Sequence, residues 1–184
     1  MVLWLWITIS AVLLFAIIIF GYYNKFVRLI NQISNSLAQI DVQLKKRADL
    51  VPNLLESVKG YMRHERGVIT EVTNARKALV SAGNIQAKVK AGNELQGALS
   101  RLFAIAENYP NLKANENFLQ FQNELTAIED KVAYARQYYN DGVLSYNIST
   151  TTLPGRWFAS LFGFRGREYL QIEESERAVP KVKF

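Results

Sequence analysis

The chain has 184 residues, 49% of them hydrophobic, with 22 Lys and Arg against 16 Asp and Glu for a net charge of +6. That length suits one domain plus an accessory segment. The absence of Cys excludes disulfides, thiolate metal sites and Cys nucleophiles, and a single His, His64, excludes a multi-His metal cluster.

Residues 1–24 carry no charged side chain and 20 of the 24 are hydrophobic. Val2 to Tyr23 makes a helix of about 33 Å, enough to span a hydrocarbon core of about 30 Å. Trp4 and Trp6 at one end and Tyr22 and Tyr23 at the other suit the two lipid–water interfaces. A cleaved signal peptide would need a basic start, a shorter apolar core and a small-residue cleavage site, and the segment has none of these. Lys25 and Arg28 follow the anchor directly, so the positive-inside tendency places the N-terminus outside and the bulk of the chain in the cytoplasm, on a cell (inner) membrane.

Beyond the anchor, residues 25–152 read as a helical bundle. Phe26, Ile30, Ile33, Leu37, Ile40, Leu44, Ala48, Val51, Leu55, Val58 and Met62 recur at spacings of four and three, a heptad seam. They predict a first helix over about 24–80. Pro52 falls inside it and must remove one backbone hydrogen bond, and the unbroken phase of the seam favours a kink there over a chain reversal. Gly83 and Asn84 read as a left-handed C-terminal cap and the next N-cap. A second helix follows over about 84–109, ended by Pro110. A third, capped by Asn115, runs over about 115–152 with a stripe from Phe118 to Tyr146. Residues 153–184 carry the aromatic cluster Trp157, Phe158, Leu161, Phe162 and Phe164, predicted as a short helix, and then an extended end at 179–184. The fold class is all-α: a transmembrane helix continuing into an antiparallel bundle of three long helices plus a short C-terminal one.

The run Ile40 to Leu54 (IDVQLKKRADLVPNL), with Val58-Lys59-Gly60-Tyr61 and His64-Glu65, resembles the bacterial LemA family. So do Glu107-Asn108-Tyr109-Pro110, Leu112 to Asn115, Ala135-Arg136, Tyr138-Tyr139-Asn140, Tyr146-Asn147 and Phe162-Gly163-Phe164. The resemblance covers nearly the whole chain after the anchor. It implies a membrane-anchored four-helix-bundle protein without enzymatic activity or cofactor, with relatives in membrane remodelling, including magnetosome formation, and others encoded beside membrane proteases.

The chemistry-bearing residues point the same way. His64-Glu65 is half of a zinc-protease helix, but Val68 stands where the second ligand belongs. No phosphate-binding glycine loop and no serine-nucleophile context are present. No catalytic, cofactor-binding or metal residues are assigned. Asn147-Ile148-Ser149 fits a glycosylation pattern but falls within a predicted helix. Lys45-Lys46-Arg47, flanked by Asp41 and Asp49, reads as a solvated, salt-bridged helix face and not as a nucleic-acid stripe.

Helix lengths add an expectation of self-association. A 57-residue first helix is about 85 Å long, whereas 26 residues reach back only about 39 Å. The seam of Phe26, Ile30, Ile33, Leu37, Ile40 and Leu44 would then lie bare, and copies of the helix would cover it as a homo-oligomer. In the same geometry the rings of 157–164 end far from the bilayer, docked on the bundle or a neighbour; a reversed first helix would instead bring them to the bilayer interface. Two functions fit: a self-associating scaffold in membrane organisation or remodelling, or an adaptor or sensor linking another membrane protein, a protease or signalling system, to a client.

Overall fold

The structure is a computed structural model and describes residues 1–170. Among these, six helices and no strand form: α1 Val2–Lys59, α2 Arg66–Ser81, α3 Ile85–Ala106, α4 Pro110–Lys113, α5 Glu116–Thr151 and α6 Gly155–Phe162. The residues divide into two compact units, Ser36–Gln137, and Met1–Asn35 with the part of the chain from Tyr138 onward. The expected extended end at 179–184 lies outside the described residues.

In the unit Ser36–Gln137, paired residues set the helix directions. Ala48 of α1 bonds Arg76 of α2 across the turn at 60–65, Glu71 of α2 bonds Arg101 of α3 across the break at 82–84, and Asn93 and Phe103 of α3 meet Arg136 and Phe118 of α5, so each pair of helices runs antiparallel. The periodic stripes supply the core. Ile40, Leu44, Ala48, Val51, Val58, Val72, Leu95, Leu99, Leu102, Leu125 and Val132 are all buried. The caps at the start of α3 and α5 follow the sequence: Asn84 Oδ1 accepts from Ala87 N at 2.8 Å, and Asn115 Oδ1 from Phe118 N at 3.1 Å.

The first helix does not continue to Val80. It ends at Lys59, and residues 60–65 turn the chain back into α2. Met62 is fully buried at this turn and its amide donates to Val58 O at 2.9 Å, so it plugs the bundle end while staying in phase with the seam. The hydrophobic period therefore runs straight through the reversal. Nor does a cap mark the restart, since Glu65 at the α2 N-cap makes no side-chain cap hydrogen bond. Gly83 is a second correction: α2 closes on Ala82 in an extended conformation, and the positive φ expected at Gly83 is found only at Gly163 among the described glycines.

Pro52 lies within α1, which continues through it. Its missing N–H leaves the carbonyl of Ala48 without its intrahelical donor. Arg76 of α2 fills the gap, its Nε donating to Ala48 O at 2.7 Å.

Candidate functional site

Arg47 stands at the centre of the Ser36–Gln137 unit. Its side chain is 1% exposed, bonded to Glu129 of α5, and donates through Nη1 to Gly92 O at 3.1 Å. Burial pulls the guanidinium below its ordinary pKa, and the Glu129 carboxylate opposes that shift. The solvated reading of Lys45-Lys46-Arg47 thus holds for the exposed Lys45 and Lys46 and fails for Arg47. A signal was there: Arg47 lies three residues after Leu44 and four before Val51, on the seam side of α1. Asp41 pairs with Lys88 of α3 rather than with a neighbour on its own helix. At the turn, Tyr109 OH donates to Glu65 Oε1 at 2.9 Å, a bond that holds the phenol above its ordinary pKa, while His64 is exposed.

The other unit is built on the end of the apolar stretch of α1. Tyr22 stacks on Phe158 of α6 with centroids 4.9 Å apart, and Tyr23 meets Phe162 edge-on at 5.2 Å. Phe26, fully buried, contacts Phe164 at 5.0 Å and Tyr146 of α5 at 6.4 Å. Two glycines make the arrangement. A Cβ on Gly155 would lie 2.1 Å from Ser149 O, so only glycine lets α6 fold this closely against the end of α5. Gly163, at φ 73°, caps α6 while Phe164 N donates to Ala159 O at 2.9 Å, turning the Phe164 ring back onto the anchor.

From there the chain runs extended along α5, held by side chains that read its backbone. Asn147 accepts from Arg167 N and donates to Arg167 O, both at 2.8 Å. Asn140 does the same at Leu170, at 3.0 and 3.3 Å, and Tyr139 OH donates to Glu168 O at 3.0 Å. The register is geometric: seven helical residues rise about 10.5 Å and three extended residues span about 10 Å. Burial raises the Tyr139 and Tyr146 phenol pKa values, with the nearby Arg167 opposing. Asn147, read in the sequence only as a glycosylation pattern, is engaged at both ends of its amide. Sequence reasoning missed this clamp, although two Asn residues seven apart on one helix face were visible.

Of the seam proposed as an oligomer interface, Phe26, Ile33, Ile40 and Leu44 are buried within the chain, and Ile30 and Leu37 are partly covered. A Cβ on Gly142 of α5 would come within 3.2 Å of Ile33 Cγ1, and one on Gly92 of α3 within 2.7 Å of Leu44 Cδ2, so these helices lie directly against the seam. The seam is therefore not bare, because the turn at 60–65 supplies covering helices that a longer first helix would have lacked. The docking segment is not remote from the anchor but packed on Tyr22, Tyr23 and Phe26 through Phe158, Phe162 and Phe164, while Trp157 and Leu161 stay exposed. Trp4 and Trp6 are exposed, and α1 is long and apolar enough to cross a membrane, with none of its most apolar 18 residues covered by protein. Among the described residues no group of three or more His, Cys, Asp or Glu side chains is arranged to hold a metal ion.

The chain is similar to the magnetosome protein MamQ 1 of Paramagnetospirillum magneticum, 24% identical over 191 residues covering 90% of this chain and 70% of that protein. It is 26% identical to the magnetosome protein MamQ of Magnetospirillum gryphiswaldense over 173 residues, 80% of this chain and 64% of that one. To protein LemA of Metamycoplasma hominis it is 28% identical over 171 residues, 89% and 75% of the two chains. The model of the LemA family matches residues 36–184. The residues that carry the resemblance, among them Arg47, Pro52, Glu65, Tyr109, Asn140, Asn147 and Gly163, are the ones that fasten these helices and turns, and the chain belongs to the LemA family.

Proposed function

We propose that the protein is a non-catalytic, single-pass membrane scaffold, its N-terminus outside and its helical body in the cytoplasm, acting in membrane organisation or remodelling. The observation that carries this reading is the division of labour along α1. The helix is bare through its uncharged stretch and becomes core from Phe26 onward, so one element is both anchor and framework. The polar residues that look chemical in the sequence, Arg47, Glu65, Tyr109 and Asn147, are occupied in structural bonds. Self-association through the α1 seam is not part of this reading, since that seam serves the chain's own packing. The names of the magnetosome relatives are those of a cellular structure and not of a reaction, which supports a scaffold.

A second reading, an adaptor for another membrane protein, is favoured by Leu144 and Ile148, which are four residues apart on one face of α5 and about half exposed. Co-purification of one stoichiometric partner would select it.

The topology is tested with single cysteines, which the natural chain lacks. In intact cells or spheroplasts, a membrane-impermeant maleimide should label Val2→Cys and should reach Ser100→Cys only after lysis. Labelling of Ser100→Cys before lysis would reverse the assignment.

A further inference from the structure

Helix α6 is covered on one side only. Phe158 and Ala159 are buried, and Phe158 lies on Tyr22. At 100° per residue, Trp157 and Leu161 fall together on one flank and Arg156 and Ser160 on the opposite one. Trp157 is 67% and Leu161 68% exposed, and Leu153 just before the helix is 64% exposed. This apolar flank lacks a partner in the described chain, yet its position is fixed by the anchor: the rings beneath it stack on Tyr22 and Tyr23, the last residues of the uncharged stretch before Asn24. Whatever depth α1 takes in a bilayer, α6 is held beside its interfacial end. The charge around it is one-sided. Lys25, Arg28, Arg156, Arg165 and Arg167 are exposed in this unit, against Asp141 and Glu168 as its acidic residues among those described.

We propose that α6 is an interfacial helix, inserting Trp157 and Leu161 into the anionic bilayer that α1 crosses while Arg156 and Arg165 meet lipid phosphates. A lipid occupant is favoured over a protein one because the flank starts at the membrane end of the anchor and its basic surroundings complement an anionic leaflet. The helix then forms a second contact that fixes the rotation of α1 about its axis. This rests on the reading of α1 as a membrane anchor.

The test uses the full chain, reconstituted at one copy per lipid nanodisc in phosphatidylcholine with or without phosphatidylglycerol. Trp4→Phe with Trp6→Phe leaves Trp157 as the only tryptophan; Trp6→Phe with Trp157→Phe leaves Trp4 as the reporter of the anchor. Lipid brominated near the head group should lower Trp157 emission by about twofold, the depth expected of an interfacial side chain. Quenching should deepen with phosphatidylglycerol, and Arg156→Gln with Arg165→Gln should weaken that dependence. Trp157 open to iodide and untouched by bromolipid, with Trp4 still quenched, overturns the proposal and leaves the anchor standing. Trp157 shielded from both quenchers also overturns it, assigning the flank to protein. Equal quenching in the two lipids overturns the head-group contact, and an unquenched Trp4 overturns the anchor reading itself.

Discussion

Ile33→Asp should unfold the packing of α5 on α1 rather than separate one chain from another. Ile33 is fully buried, with the backbone of Gly142 directly against it. Removing a buried large aliphatic side chain costs roughly 2–5 kcal/mol, and a carboxylate left there without a partner adds a desolvation penalty or must take up a proton. The sum rivals the 5–15 kcal/mol that holds a typical domain together. In detergent, the variant should lose its cooperative melt and become protease-sensitive within α5. Leu37→Asp, at a partly exposed position, should cost markedly less. An unchanged melt together with a smaller particle by light scattering would mean that the seam is an intermolecular surface after all.

The carbonyl of Ala48, a residue 2% exposed, depends on Arg76 because Pro52 offers it no N–H. A buried acceptor that loses a charged donor costs about 1.5–3 kcal/mol. Arg76→Met should therefore lower the melting temperature by roughly 3–10 °C in a chain of this size. In a Pro52→Ala background, where the helix supplies its own donor, the same substitution should cost much less. The coupling across this double-mutant cycle should be on the order of 1–2 kcal/mol, and additive effects would show that Arg76 acts only by packing.

The helices were legible wherever burial has a period. The stripes of α3 and α5, from Val89 to Ala106 and from Phe118 to Tyr146, are buried as read except for the half-buried Phe121 and Ala135, and the Asn84 and Asn115 caps stand where they were placed. The reversal after Lys59 was not legible. Met62 is core in the turn just as it would be in a continuing helix, so the period carries no mark of the break. That one error inverted the direction of everything after it, left the seam apparently bare and sent the aromatic segment to the wrong end. The docking residues themselves were visible, but their partners Tyr22, Tyr23 and Phe26 were not, because ring stacking between segments over a hundred residues apart leaves no local pattern. Arg47 and Arg76 escaped for a different reason: a polar residue on a buried face is recognised only when its partner is known, and Glu129 and Ala48 lie on other helices.

The chain returns to the anchor, with α6 seated on the end of the uncharged stretch. Tyr23→Cys combined with Phe162→Cys tests this directly, since the two rings lie 5.2 Å apart and the chain has no other cysteine. Because ring side chains that meet hold their backbones beyond disulfide reach, a short membrane-permeant bismaleimide should join the two cysteines within one chain in native membranes, seen as a mobility shift of the monomer. Monomer without the crosslink, or crosslinks only between chains, would contradict the return of the chain and the scaffold built on it.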